Sequence, residues 1–161
     1  MSDSLMEDVM AHDVDRLATL LAEGKDPNQS FAPRYTFTLL YAAVEALPIS
    51  EGEPGGSMDA VVLLLRYGAD VNAWDDERTT TPILTAVQHN DMEAMRLLLA
   101  AGADPNVWNL DGESPLCTCA WYGRLEMARL LLQCGATKTI HHSGGLAGMS
   151  ALGFAATELD I

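Results

Sequence analysis

With 23 acids against 9 bases over 161 residues and a formal charge of −14, the chain lacks the basic stripe that a nucleic-acid binder needs to displace counterions. Hydrophobic residues reach 48%, enough for a core, yet no apolar run approaches the roughly 18 residues that would cross a membrane, and three cysteines without scaffold spacing fit a reducing compartment. The opening MSDSLMEDVM carries acids and no base, so it reads as neither a secretory signal nor a transit peptide, and the expected location is the cytoplasm.

Taken in order, Leu5–Asn28 predicts a pair of helices. The first, SLMEDVMAH, lacks a Ser/Thr-Pro start; the second, VDRLATLL, stops at Gly24 before an Asp26-Pro27-Asn28 turn. A second pair begins near Thr38 in TLLYAAV and continues through MDAVVLLLRYGADVN to Gly68. The third opens at Thr81-Pro82 and ends at Gly102; the fourth opens at Ser114-Pro115, turns at Gly123 and ends at Gly135. Ser114 suits a helix cap and Pro115 the first turn, where a missing N–H costs nothing. Gly123 and Gly135 suit the left-handed stop.

Thr81 and Ser114, Pro82 and Pro115, and Gly102 and Gly135 are each 33 residues apart. Helix, tight turn, helix and hairpin-like excursion at that period are a solenoid signature. Thr38 precedes Thr81 by 43 residues, whereas Gly68 precedes Gly102 by 34, so nine residues are inserted between the helices of the second pair. They lie in LPISEGEPGGS, Leu47–Ser57, whose Pro and Gly content cannot continue a helix. Such an insertion is a tolerated surface loop or a binding feature. After Asn106 the pattern loosens: Thr137, Lys138 and Thr139 stand where Asp104, Pro105 and Asn106 stood. Gly144, Gly145 and Gly148 lack the Lys-Ser/Thr of a phosphate-binding loop. SALGFAATELDI, from Ser150, reads as the first helix of a fifth unit.

Chemistry finds little purchase. Cys117 and Cys119, with Cys134, His141 and His142 further on, resemble half a metal site. Helical positions i and i+2 point about 200° apart, however, so small buried thiols are expected instead of metal ligands. His89 and His142 have no local nucleophile beside them. Asp75-Asp76-Glu77 are expected to be exposed in a hairpin tip, with nothing to raise a carboxyl pKa. No enzyme activity, metal or cofactor is expected.

The motifs TTPILTAVQHNDMEAMRLLLAAGADPN and SPLCTCAWYGRLEMARLLLQCGA resemble the ankyrin repeat. The resemblance covers essentially the whole chain as about four and a half repeats. These are a degenerate capping repeat over 4–30, a repeat with the inserted loop over 38–72, repeats over 81–106 and 114–139, and a half repeat over 150–161. It implies an all-α solenoid, a single domain with two helical layers and projecting hairpin loops. One departure is systematic: the family's histidine position is Tyr41, Leu84, Cys117 and Gly153, which puts its Thr–His hydrogen bond in question.

The resemblance also implies a non-enzymatic module that binds another protein through hairpin tips and the exposed ends of the first helices. Carried onto this chain, the surface comprises Trp74, Asp75, Asp76, Glu77, Arg78 and Thr79 in one hairpin. The next hairpin supplies Trp108, Asn109, Leu110, Asp111 and Glu113, and the helix ends supply Glu45, Gln88, His89, Trp121 and Tyr122. Trp74 and Trp108, at matching sites, either pack between hairpins or meet a partner. Trp121 and Tyr122 are expected to face outward. Aromatics ringed by acids fit an interface core with a charged rim. The expectation is a monomer that binds a basic protein surface, with no nucleic acid or membrane involved. Its concrete form is a small inhibitor of the immunity or antitoxin kind, and the alternative is an adaptor.

Overall fold

The structure, a computed structural model, describes residues 5–29, 31, 34–48 and 55–138. Eight α-helices and no strand occur among them: α1 Leu5–Met10, α2 Val14–Ala22, α3 Leu39–Glu45, α4 Met58–Arg66, α5 Pro82–Gln88, α6 Met92–Ala100, α7 Pro115–Trp121 and α8 Leu125–Gln133. The predicted half repeat over 150–161, the glycine-rich 140–149 connection and the middle of the insertion lie outside the described residues.

Helices come in antiparallel pairs, three of them joined by three-residue turns and the second by a longer loop. Each first helix packs on its own second helix, and the first helices stack in the order α1, α3, α5, α7. Helices as short as these are marginal alone, so burial of a shared face holds them. Leu5, Leu39, Leu40, Ile83, Leu84 and Leu116 supply that face from the first helices; Leu17, Leu64, Met95, Leu98 and Leu131 supply it from the second. The all-α solenoid expected from the 33-residue period is the architecture observed.

Helix starts follow the sequence signals with two exceptions. Asp13, Thr38, Ser57, Asp91 and Ser114 each accept a hydrogen bond from the first turn of the helix they precede. Thr81 and Arg124 make no such cap. The Thr81 hydroxyl is instead buried without a hydrogen-bond partner. In this repeat Leu84, fully buried, occupies the position where the family carries histidine, so the family's Thr–His bond is absent and the hydroxyl has nothing to meet. At the other end, Gly68 (φ 87°) and Gly102 (φ 96°) are left-handed. The residue after each glycine returns its N–H to a helix carbonyl, Ala69 to Leu64 and Ala103 to Leu98, both at 2.9 Å.

An asparagine ladder couples the repeats. Asn28 Nδ2 donates to Gly68 O (2.8 Å) while its Oδ1 accepts from Asp70 N (2.7 Å). Asn72 makes the same pair of bonds to Gly102 O and Asp104 N, and Asn106 makes it to Gly135 O and Lys138 N. Asp26, Asp70 and Asp104 each accept from the asparagine N–H two residues on, fixing the turn that aims the amide. Thus the D-x-N signature is a mortise between successive repeats, not decoration of a single turn.

The insertion is closed at its base. Only three residues, 89–91 and likewise 122–124, separate the helices of repeats three and four, against twelve, 46–57, in repeat two. The difference is the nine residues expected from spacing. Gly56 N donates to Ala46 O at 2.6 Å. A Cβ on Gly55 would stand 2.9 Å from that same carbonyl oxygen, so glycine is needed where the two strands of the loop pinch together.

Candidate functional site

The three first-helix ends form a row. Glu45, Gln88 and Trp121 are the last residues of α3, α5 and α7, and Ala46, His89 and Tyr122 are the caps that follow them. Beside the row run the hairpins. In one, Asp75 N donates to Thr80 O (3.3 Å); in the next, Asn109 N donates to Glu113 O (3.0 Å). Adjacent hairpins are tied by Asp76 N to Thr36 O (2.7 Å) and by Asn109 Nδ2 to Thr79 O (3.0 Å).

Within this surface the expected residues divide into two groups. Several are occupied by the scaffold. Asp75, expected to be exposed, is half-buried, and its carboxylate accepts from Thr79 N (2.7 Å), Thr79 Oγ1 (2.5 Å) and Thr80 N (3.1 Å). It shapes the hairpin from within, because three nearby donors converge on it. Glu113 accepts from Asn109 Nδ2 at 3.1 Å and is likewise part of its own hairpin. His89 sits half-buried with Nε2 3.5 Å from Glu45 Oε2, bridging repeats two and three. Trp74 is half-buried.

The second group is open to solvent. Trp108 is 51% exposed, Leu110 77%, Trp121 43% and Tyr122 57%. Asp76, Glu77, Arg78, Gln88 and Asp111 are exposed around them. The two matching tryptophans therefore differ: Trp74 is largely tucked in, and Trp108 presents half its surface. Apolar exposure is concentrated on repeat four, with acids on the hairpins beside it.

Two features escaped the sequence reading. Arg124 crosses from the α7–α8 turn to the end of α5, where its guanidinium donates to Val87 O and to Gln88 O (3.1 Å). Carbonyls at a helix C-terminus attract a cation. The same guanidinium lies 4.6 Å from the centre of the Tyr122 ring, a cation–π contact. Tyr122 is thus outward-facing and also held in place. The signal was available: Arg124 falls where the preceding repeat has the helix cap Asp91, and a base in a cap position calls for another use. The second feature is an aromatic cluster, Tyr35–Phe37–Tyr41, with ring centres 5.7 and 5.2 Å apart. Tyr41 lies near the carboxylates of Glu45 and Asp75. Burial, reinforced by Glu45 and Asp75, pushes its hydroxyl up to about 12.

The thiols of Cys117 and Cys119 are buried, as expected, although i and i+2 diverge. A first helix packed between its neighbours and its own second helix has apolar surroundings on both of those sides. Burial pushes the Cys119 thiol up to about 12 against the opposing pull of Arg124, and it also raises Cys117. Such thiols are protonated and inert at neutral pH. Cys134 is exposed. Among the described residues no group of three or more His, Cys, Asp or Glu could hold a metal ion. Nor is any helix there long and apolar enough to cross a membrane.

Paired helices in register, an amide ladder between pairs and hairpins projecting to one side define a helical-repeat interaction scaffold. The chain matches the family model described as ankyrin repeats (3 copies) over residues 5–106 and 52–142. It belongs to the ankyrin-repeat family, whose repeats are in general protein–protein interaction modules. A search of curated proteins returns no match.

Proposed function

We propose that this chain is a non-enzymatic binding protein that covers a basic surface of a protein partner with the hairpins and first-helix ends of repeats three and four. Its most concrete form is a small cytoplasmic inhibitor of the immunity or antitoxin kind, monomeric on its own, that occludes an active site or substrate groove. The observation that carries this reading is the exposure of Trp108, Leu110, Trp121 and Tyr122 on one repeat, beside the exposed acids Asp76, Glu77 and Asp111. Exposed aromatics cost solubility unless something covers them, and an apolar centre with a charged rim is the usual anatomy of an interface. Electrostatic complementarity with a basic partner would speed encounter.

Affinity capture from the native source identifies the partner, and a partner activity assay tests the mode. Loss of turnover at a stoichiometric ratio supports inhibition; undiminished turnover in a stable complex supports the adaptor. Trp121→Ala and Leu110→Ala are each expected to cost on the order of 2 kcal/mol of binding. Tyr122→Ala combines that loss with loss of the cation–π contact to Arg124, so its effect on folding must be measured beside its effect on binding. Wild-type affinity in a folded Trp121→Ala, Leu110→Ala double variant would move the interface elsewhere.

A further inference from the structure

Every polar group of Asn109, in the hairpin before α7, is engaged inside the scaffold. Its backbone N–H donates to Glu113 O (3.0 Å), and its carbonyl accepts from Gly112 N (2.9 Å). Its side-chain Oδ1 accepts from Glu113 N (2.8 Å), while Nδ2 donates to Glu113 Oε2 (3.1 Å) and to Thr79 O of the preceding hairpin (3.0 Å). The residue is only 5% exposed. A buried amide with both ends satisfied holds one geometry, because any other leaves a donor or an acceptor unpaired. The next residue, Leu110, is anchored too, its N–H reaching Arg78 O at 3.4 Å. Its side chain is nonetheless 77% exposed, more than any other large hydrophobic among the described residues.

The scaffold does not ask for leucine at that place. In the preceding hairpin Asp75 gathers backbone donors as Asn109 does, accepting from Thr79 N at 2.7 Å. Asp76 follows it, with its own N–H on Thr36 O at 2.7 Å. Asp76 thus stands where Leu110 stands in the next hairpin, and it is exposed. Exchanging a charge for leucine at a solvent-facing tip brings no burial to the fold; it brings burial only when another molecule covers the side chain.

What covers it is concave. A side chain at a hairpin tip presents its end and its flanks, so a flat surface covers the end alone, whereas a pocket desolvates the whole. The hydrogen bonds of Asn109 keep the hairpin from folding back, so little order is lost on binding. Resting on the binding reading above, we propose that Leu110 is a plug that enters a closed apolar pocket of the partner protein, and that Asn109 is the positioning residue that holds it out. The pocket it fits is the size of one leucine side chain.

The probe is the protein that co-purifies with the full chain from its native source, and the Kd of each variant is measured by calorimetry. Leu110→Ala is expected to weaken the complex about thirty-fold. Leu110→Trp discriminates the shapes: the exposed tip tolerates the larger ring, but a closed pocket does not, so binding should fall about ten-fold or more. A flat contact would hold the larger apolar side chain as well or better. Asn109→Ala should weaken binding about ten-fold in the wild-type background and less than about two-fold in Leu110→Ala, since it acts through Leu110. A purely structural role would give the same loss in both. Wild-type affinity in folded Leu110→Trp, or equal losses from Asn109→Ala with and without Leu110, overturns the proposal. Loss from Trp121→Ala with none from either Leu110 variant overturns the plug and leaves the repeat-four interface standing. No co-purifying protein, or wild-type affinity in all of these variants, overturns both readings.

Discussion

Between the third repeat (α5–α6) and the fourth (α7–α8), the buried positions recur while the outward ones change. Ile83 and Leu116, Thr85 and Thr118, and Leu98 and Leu131 match at 33-residue spacing and are buried in both. Where the core does differ, volume is traded locally: Ala94-Met95 in α6 becomes Met127-Ala128 in α8. Cores tolerate swaps that conserve volume. Outside, by contrast, Asp76 becomes Leu110, Arg78 becomes Gly112, Gln88 becomes Trp121 and His89 becomes Tyr122. A solenoid asks each repeat only to match its neighbours, so positions facing away are free to specialise. In this chain they do so at repeat four.

The two repeats should differ most in their response to pH. Repeat four carries Cys119 where repeat three carries the buried Ala86. The Cys119 pKa rises from 9.0 to about 12 on folding. Below about pH 9 both folded and unfolded thiols are protonated, and this contribution is fully present. Between about 9 and 12 the unfolded thiol ionises while the folded one does not, so stability falls by at most about 1.4 kcal/mol per pH unit. Thermal midpoints measured from pH 8 to 11 should decline, and Cys119→Ala, which copies repeat three, should flatten most of the slope. Cys117, raised in the same direction, and Tyr41, raised from 10.0 to about 12, account for a remainder. An unchanged slope in Cys119→Ala would refute the assignment.

A smaller effect tests the exchanged cap. Arg124→Ala frees Val87 O and Gln88 O and should cost about 1–2 kcal/mol in urea unfolding, because bonds from charged donors are the stronger kind. Arg124→Asp loses the same bridge but gives α8 the cap that Asp91 gives α6, recovering about 1 kcal/mol. If the aspartate variant is no more stable than the alanine one, the cap comparison fails.

The smallest difference should be at the helix starts. Ser114 accepts from Cys117 N at 3.2 Å, so Ser114→Ala is expected to cost about 1 kcal/mol. Thr81 has no partner for its hydroxyl, so Thr81→Val should be within about 0.5 kcal/mol of wild type or stabilising. Equal losses from the two substitutions would show that the hydroxyls are used alike.

Helix pairs, stops and the size of the insertion were legible because each rests on local chemistry: a cap, a proline, a glycine, a count of residues. The outward aspect of Trp121 and Tyr122 was legible from repeat position. Asp75 was not, since an acid in a hairpin tip looks the same in sequence whether it faces water or gathers its own backbone donors. His89 was misleading for a related reason. Its partner Glu45 is 44 residues away, and only stacking brings α3 beside α5. The Arg124 bridge and the Asn109 bond to Thr79 O depend on three-dimensional neighbours in the same way. Long-range pairing, not secondary structure, is where linear reading ended.

The asparagine ladder bears on how such a chain can change in length. Asn72 and Asn106 address the same kinds of backbone group in the next repeat, the glycine carbonyl and a turn N–H, which lies two residues past the glycine at Asp104 and three past it at Lys138. Excising residues 73–106 would put Asn72 where Asn106 stood, facing Gly135 and Lys138 with the same donor and acceptor. Duplicating the same span would extend the ladder by one rung. The joint is therefore interchangeable: a genome can lengthen or shorten the array by whole units without inventing a new seam, and repeat number becomes a quantity that selection adjusts separately from the surface each unit presents.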